Sequence, residues 1–399
     1  MSLTLHPLSQ HQDLVDWLQT SERDVWNWYA DTERCSLDTE AVRMSLLRDT
    51  YRMEAESHPE LYAEITAAKE KLGLGERVVT AYQAQDQSTP NAAICHLPGE
   101  AHLIFSGPIL TLLSPAELRA VIGHELAHDL LWQMDGGAFY LADRIIHQSA
   151  AHPDARSSHG QSARLWSLAT ELFADRGAYL VTGCLETAVA SLVKACTGLS
   201  QVSGKSYLAQ AREIFSKSKP KTEQLTHPET FMRAQALRLW VEKDPDLDAA
   251  ITRMLVEDED LGSLDLIQQV ALTRLTHRFL SHFLAPPWFH SAAVLAHARL
   301  YFPDFVPSSG PDPSLTDELL TLSKPQREYL AQVMLDFCAV DPDLNDLPMA
   351  AALEMARQME CLGPFEKMAT PALKLKSKTL KHLKENAASL LASAPTQAS

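Results

Sequence analysis

The chain of 399 residues has only six cysteines and no C-x-x-C pair. That argues against a disulfide framework and against a cysteine-built zinc site. The scattered thiols of Cys35, Cys95, Cys184, Cys196, Cys338 and Cys361 read as reduced and mostly buried. Positive charge is also scarce: 35 Lys+Arg face 51 Asp+Glu, a formal net charge of −16. So acidic a chain is repelled by phosphate backbones, and no nucleic acid is expected as a partner. No run of about eighteen apolar residues occurs, so no transmembrane segment is expected. The richest stretch, 279–302, is broken by Pro286-Pro287 and carries His282, His290, His297 and Arg299. The N-terminus lacks the basic region, apolar run and small-residue cleavage site of a secretory signal. The expected compartment is cytoplasmic.

What the chain does have is Gly123-His124-Glu125-Leu126-Ala127-His128. Residues four apart on an α-helix share a face, so His124 and His128 can offer ring nitrogens to one metal ion. Glu125 stands beside them, within reach of a water activated there. The helix has its own start and stop signals. Ser114 is a good N-cap, Pro115 suits the first helical position, and Glu117 completes a capping box. Asp135-Gly136-Gly137 ends it. The pentad alone arises by chance in a histidine-rich chain, so a third ligand in the right context has to decide.

Upstream, residues 9–72 read as helical throughout, with Leu14, Trp17 and Leu18, then Val42, Leu46, Leu47 and Tyr51, at helical spacing. Trp26 and Trp28 read as core or interface packing. From Arg77 the pattern changes. Residues 78–82, 91–97 and 102–105 are strand-like, with Pro98-Gly99 as a turn. A small sheet therefore precedes the pentad helix, and an exposed edge strand there could pair with an extended peptide. His96 and His102 read as solvent-facing strand residues rather than ligands.

Downstream, residues 138–149 read as a further helix, and a polar stretch, 152–160, as a loop. Residues 165–180 look helical, with Gly183 as the stop. Glu171 and Asp175 are one turn apart on this largely apolar helix. Buried carboxylates need a partner. A zinc ion supplies one for Glu171, and a ligand histidine supplies one for Asp175. Ala174, Gly177 and Ala178 are small and allow a second helix to come close.

His124-Glu125-Leu126-Ala127-His128 followed by Glu171-Leu172-Phe173-Ala174-Asp175 resembles the gluzincin metallopeptidases of the HtpX and CAAX prenyl endopeptidase group. Asn91-Ala92, Ser114-Pro115-Ala116-Glu117-Leu118, and Thr226-His227-Pro228 with Arg233 six residues after the histidine resemble further pieces, in that group's order. The resemblance covers about 77–240. It implies zinc (Zn2+) held by His124, His128 and Glu171, with Glu125 as general base. It also implies that Asp175 orients a zinc histidine, and that His227 and Arg233 face the substrate carbonyl oxygen. The membrane-spanning helices common in that group are missing, and the segment before Glu171 carries a polar insertion of its own.

The expected fold is α+β and predominantly helical. A gluzincin-type peptidase core has a small sheet beside the pentad helix, and an all-α region follows. The expected divisions are an N-terminal helical segment (1–72), the core (73–243), a helical extension and linker (244–312, with the Pro- and Ser-rich stretch 303–313 as boundary), a helical module (313–385) and a disordered tail (386–399). Asp341-Pro342-Asp343-Leu344-Asn345 fails as a calcium loop: the sixth position is Asp346 and the twelfth is Ala352. The expected function is a zinc metalloendopeptidase acting on a peptide or protein. The rival readings are a proteolytically silent zinc-binding, chaperone-like protein and a helical adaptor. Protein partners of the C-terminal helical region are not readable.

Overall fold

The computed structural model describes residues 3–36, 39–86, 88–217, 229–255, 261–308, 310 and 312–395. It divides into two compact units, Met1–Asp258 and Glu259–Ser399.

In the first unit, helices α1 (Ser9–Ser21), α2 (Arg23–Ser36) and α3 (Thr39–Asp49) lead into strand β1 (Thr50–Met53). This four-residue strand corrects the all-helical reading of 9–72. It directly follows a helix, with no turn residue to announce it, and exists because its backbone pairs antiparallel with β2. Helix α4 (Pro59–Leu72) and strands β2 (Val78–Ala84), β3 (Asn91–Leu97) and β4 (Glu100–Ser106) follow. The sheet order is β1-β2-β4-β3, with β2 and β4 parallel and the other pairs antiparallel. Strand β3 is therefore an edge strand, and it lies beside the pentad helix.

After the one-turn α5 (Ile109–Leu112) comes that helix, α6 (Pro115–Gln133). Its start is built as its sequence suggests: Ser114 Oγ accepts from the Glu117 backbone N–H, and Glu117 accepts from the Ser114 N–H. Lys194 Nζ lies 2.8 Å from Glu117 Oε2, so the cap also anchors a later helix. Positive φ at Asp135, Gly136 and Gly137 turns the chain away. Next are α7 (Ala138–Ala151), α8 (Ser157–Thr182), α9 (Leu185–Thr197), α10 (Gly204–Lys217), α11 (Thr230–Glu242) and α12 (Leu247–Leu255). The loop expected over 152–160 is shorter than that. Helix α8 starts at Ser157, where His159 Nδ1 accepts from the Arg156 N–H and extends the helix backwards.

Two cores flank α6. On the sheet side, Phe105, Ile65, Ile122 and Leu126 pack together. On the other, Ala120 and Ala178 meet Val189, Leu237 and Trp240. Helices α6 and α8 touch almost backbone to backbone. A Cβ added at Gly177 would lie 2.4 Å from Ala127 Cβ and 2.8 Å from the Gly123 carbonyl oxygen. Trp28 is 61% exposed and makes an edge contact with the Tyr29 ring, so it does not pack in the core of this unit.

The second unit is helical: α13 (Leu266–Phe283), α14 (Ala292–Tyr301), α15 (Pro313–Thr321), α16 (Lys324–Phe337), α17 (Leu347–Gln358), α18 (Leu362–Ala372) and α19 (Ser377–Ala392). Phe279, Phe289, Phe305, Leu330, Phe337 and Phe365 share one core. The stretch 303–313 is thus a connection inside this unit and not a boundary, since apolar residues on both sides of it bury each other. Helix α19 also runs to Ala392, past the expected start of the tail at 386. Among the described residues, no helix is long and apolar enough to cross a membrane.

Candidate metal centre

The close approach of α6 and α8 brings three side chains to one point. His124 Nε2 and His128 Nε2 are 3.3 Å apart. Glu171 contributes Oε2 at 3.5 Å from the first and Oε1 at 3.8 Å from the second. Zinc bonds of about 2.05 Å in a tetrahedron put neighbouring ligand atoms about 3.4 Å apart. The donor set and its spacing therefore fit zinc. Among the described residues this is the group of three or more His, Cys, Asp or Glu that could hold a metal ion.

The side chains around the three ligands explain how such a cluster is held. Asp175 Oδ1 lies 3.1 Å from His124 Nδ1 and so turns the Nε2 edge toward Glu171. Arg233, on α11, spans both acids: its Nε and Nη2 meet Asp175 at 2.8 and 2.6 Å, and its Nη1 meets Glu171 Oε2 at 3.0 Å. Burial disfavours this guanidinium charge, but Asp175 and Glu171 overcome it and raise its pKa. Burial likewise works against the Asp175 carboxylate, and Arg233 more than offsets it, leaving the pKa low.

The histidines divide. Burial opposes a charge on His124, yet hydrogen bonds that its ring donates to Asp175 and Glu171 carry its pKa up to about 10. Burial and the neighbouring His124 charge take His128 down to about 4. Metal binding at this site thus has to displace the His124 proton. Glu125 is buried, and burial pushes its carboxyl up to about 7, although the His124 charge pulls the other way.

The cluster opens on a cavity of about 700 Å3. Its walls include the edge strand β3 at 91–94, Trp132 on α6, and Ser191 and Leu192 on α9. Trp132 stacks on the His128 ring, with centroids 5.9 Å apart.

Arg233 lines the cavity, and three of its N–H groups meet Glu171 and Asp175. His227 lies outside the described residues. His96 and His102 are not in the cluster, but neither are they solvent-facing. His102 is buried beside Tyr82. His96 Nδ1 lies 2.6 Å from Asp129 Oδ1. Asp129, fully buried, is also gripped by Arg77 at 2.9 and 2.6 Å. This clamp ties the sheet to the residue after His128, and sequence reasoning missed it. The available signal was an acid on an apolar helix next to a ligand, which demands a partner.

The description Peptidase family M48 matches residues 55–135, a stretch that ends two residues past α6. Plastoglobule-localized metallopeptidase 48, chloroplastic, from Arabidopsis thaliana is 28% identical over 171 residues, covering 38% of this chain and 48% of that protein. The chain thus spans about half the length of this curated relative. No solved structure matches. Where the chain carries its pentad helix and the sheet beside it, it is similar to peptidase family M48, whose members are zinc-dependent peptidases in general.

Proposed function

We propose that the protein is a zinc-dependent metalloendopeptidase, related within M48 to the HtpX and CAAX prenyl endopeptidase group. One observation carries the reading: two imidazole nitrogens and a carboxylate, from two helices, at the mutual spacing of zinc ligands. His124, His128 and Glu171 would hold the ion. Zinc held by three protein ligands supplies Lewis-acid activation of water and of a carbonyl group.

The chain's own residues do the rest. Glu125 takes the proton of the attacking water and passes it to the leaving amine. Asp175 fixes the tautomer and orientation of His124. Arg233 neutralises the two buried acids and keeps Glu171 aimed at the histidines. It also leaves donor capacity on Nη1 for an oxyanion, a role that His227 would share. An extended peptide lies along β3, an edge strand of the sheet among the described residues, whose 91–94 stretch lines the cavity. The substrate is a peptide or protein, and the compartment is the cytoplasm.

Glu125→Gln is expected to keep stoichiometric zinc and to lose about 10²- to 10⁴-fold in turnover of casein or a quenched peptide. Glu171→Ala is expected to lose most of its zinc. Cleavage by Glu125→Gln at the wild-type rate sinks the mechanism. Full zinc with no cleavage of any peptide library sinks the peptidase reading in favour of a silent, chaperone-like or adaptor protein.

A further inference from the structure

One wall of the cavity has no part in the chemistry above. Asp143 and His147 on α7 face Ser167 on α8 across the cleft wall. His147 Nε2 is 3.1 Å from Ser167 Oγ, and His147 Nδ1 is 2.9 Å from the Asp143 carbonyl oxygen and 3.4 Å from its Oδ1. The order Asp-His-Ser invites a nucleophilic reading, which the geometry rejects. Ser167 sits inside a helix, with its hydroxyl 3.0 Å from the Ala163 carbonyl. The helical N–H groups around it are engaged in the helix ladder, so no oxyanion hole is available.

The remaining reading is recognition. The Asp143 carboxylate is held by Trp166 Nε1 at 2.8 Å, through Oδ1, and its side chain is 24% exposed on the cleft wall. Burial pushes this carboxyl above the usual carboxylate range, against the pull of His147, Trp166 and Arg144. An incoming cation would relieve that cost. Trp132, lining the same cavity, offers an aromatic surface for an alkyl stem or a cation. The whole chain, at −16, favours approach of basic peptides. Ser167 and Glu171 are one helical turn apart on α8, about 6 Å along its axis, so this group lies close to the metal centre.

We infer that Asp143, with His147 and Ser167 beside it and Trp132 lining the same cavity, forms a subsite for a lysine or arginine side chain near the scissile bond. This rests on the peptidase reading for its register but not for its chemistry. The test uses the zinc-loaded full chain and quenched peptides carrying lysine, acetyl-lysine or glutamine at the positions around the cut, with cleavage sites read by mass spectrometry. Lysine is expected to raise kcat/KM about tenfold over acetyl-lysine, at one position near the cut. Asp143→Asn keeps an acceptor for Trp166 and is expected to bring that ratio close to one. Equal rates for lysine and acetyl-lysine in the wild type overturn the subsite, as does an unchanged ratio in Asp143→Asn. Binding of the same labelled peptides to zinc-loaded Glu125→Gln separates the two ideas. Lysine preference in binding with no cleavage by the wild type keeps the subsite and sinks the peptidase. Cleavage without preference does the reverse, and neither binding nor cleavage sinks both.

Discussion

Gly177→Ala is the sharpest probe of the metal centre, because it alters no ligand. The new methyl would sit 2.4 Å from Ala127 Cβ and 2.8 Å from the Gly123 carbonyl oxygen. Comfortable carbon contacts begin near about 3.5 Å, so α6 and α8 must part by about 1 Å. Gly123 and Ala127 immediately precede His124 and His128 on α6, and Gly177 is two residues past Asp175 on α8. The separation therefore acts directly on ligand spacings that now run from 3.3 to 3.8 Å. Zinc sites tolerate about 0.2 Å of error in their bonds. The expected result is a loss of about 1–3 kcal/mol in stability from overpacking, together with a much weaker zinc affinity. Gly160→Ala serves as the control, since nothing lies within 4 Å of its added Cβ. Chelator competition measures affinity, and thermal unfolding with excess chelator measures the packing cost alone. If Gly177→Ala binds zinc as tightly as the Gly160→Ala control, the helix approach does not set the site, and the reasoning fails.

Arg233→Ala leaves the buried Glu171 and Asp175 with only the His124 charge beside them and is expected to cost about 3 kcal/mol in the zinc-free protein. Zinc should recover part of that loss, so a larger zinc-induced rise in melting temperature than in wild type is the result to look for. His11 on α1 is fully buried, with Nε2 3.0 Å from Thr170 Oγ1, and burial takes its pKa to about 3. Unfolded, it titrates near about 6.5. Its neutral form therefore costs nothing above pH 6.5. As pH falls toward 3 the unfolded chain gains a proton that the folded chain refuses, and stability is lost. At pH 5 the loss is about 2 kcal/mol, and His11→Gln should flatten the slope of stability against pH between 3 and 6.5 by up to about 1.4 kcal/mol per unit. Identical slopes for wild type and variant in urea titrations would rule this out.

The local geometry of this protein was readable from its residues because it depends on near neighbours. Histidines four apart must share a face of α6. Ser114 and Glu117 must cap that helix when it forms, and Glu171 and Asp175 must lie on one side of α8. The strand-like runs at 78–82 and 91–97 declared themselves by composition in the same way. Everything that depended on distant partners was decided by the tertiary structure. β1 is a strand only because β2 offers it an edge, and His102 is buried only because Tyr82 and its sheet neighbours cover it. That Arg233 reaches both Glu171 and Asp175 depends on where α11 packs. Residues 303–313 have the composition of a boundary, yet Phe289 and Leu315 on either side share one core. Helical periodicity tells which face a residue takes. Which other face it meets, and at what distance, is set by packing, and the metal centre exists only at that distance.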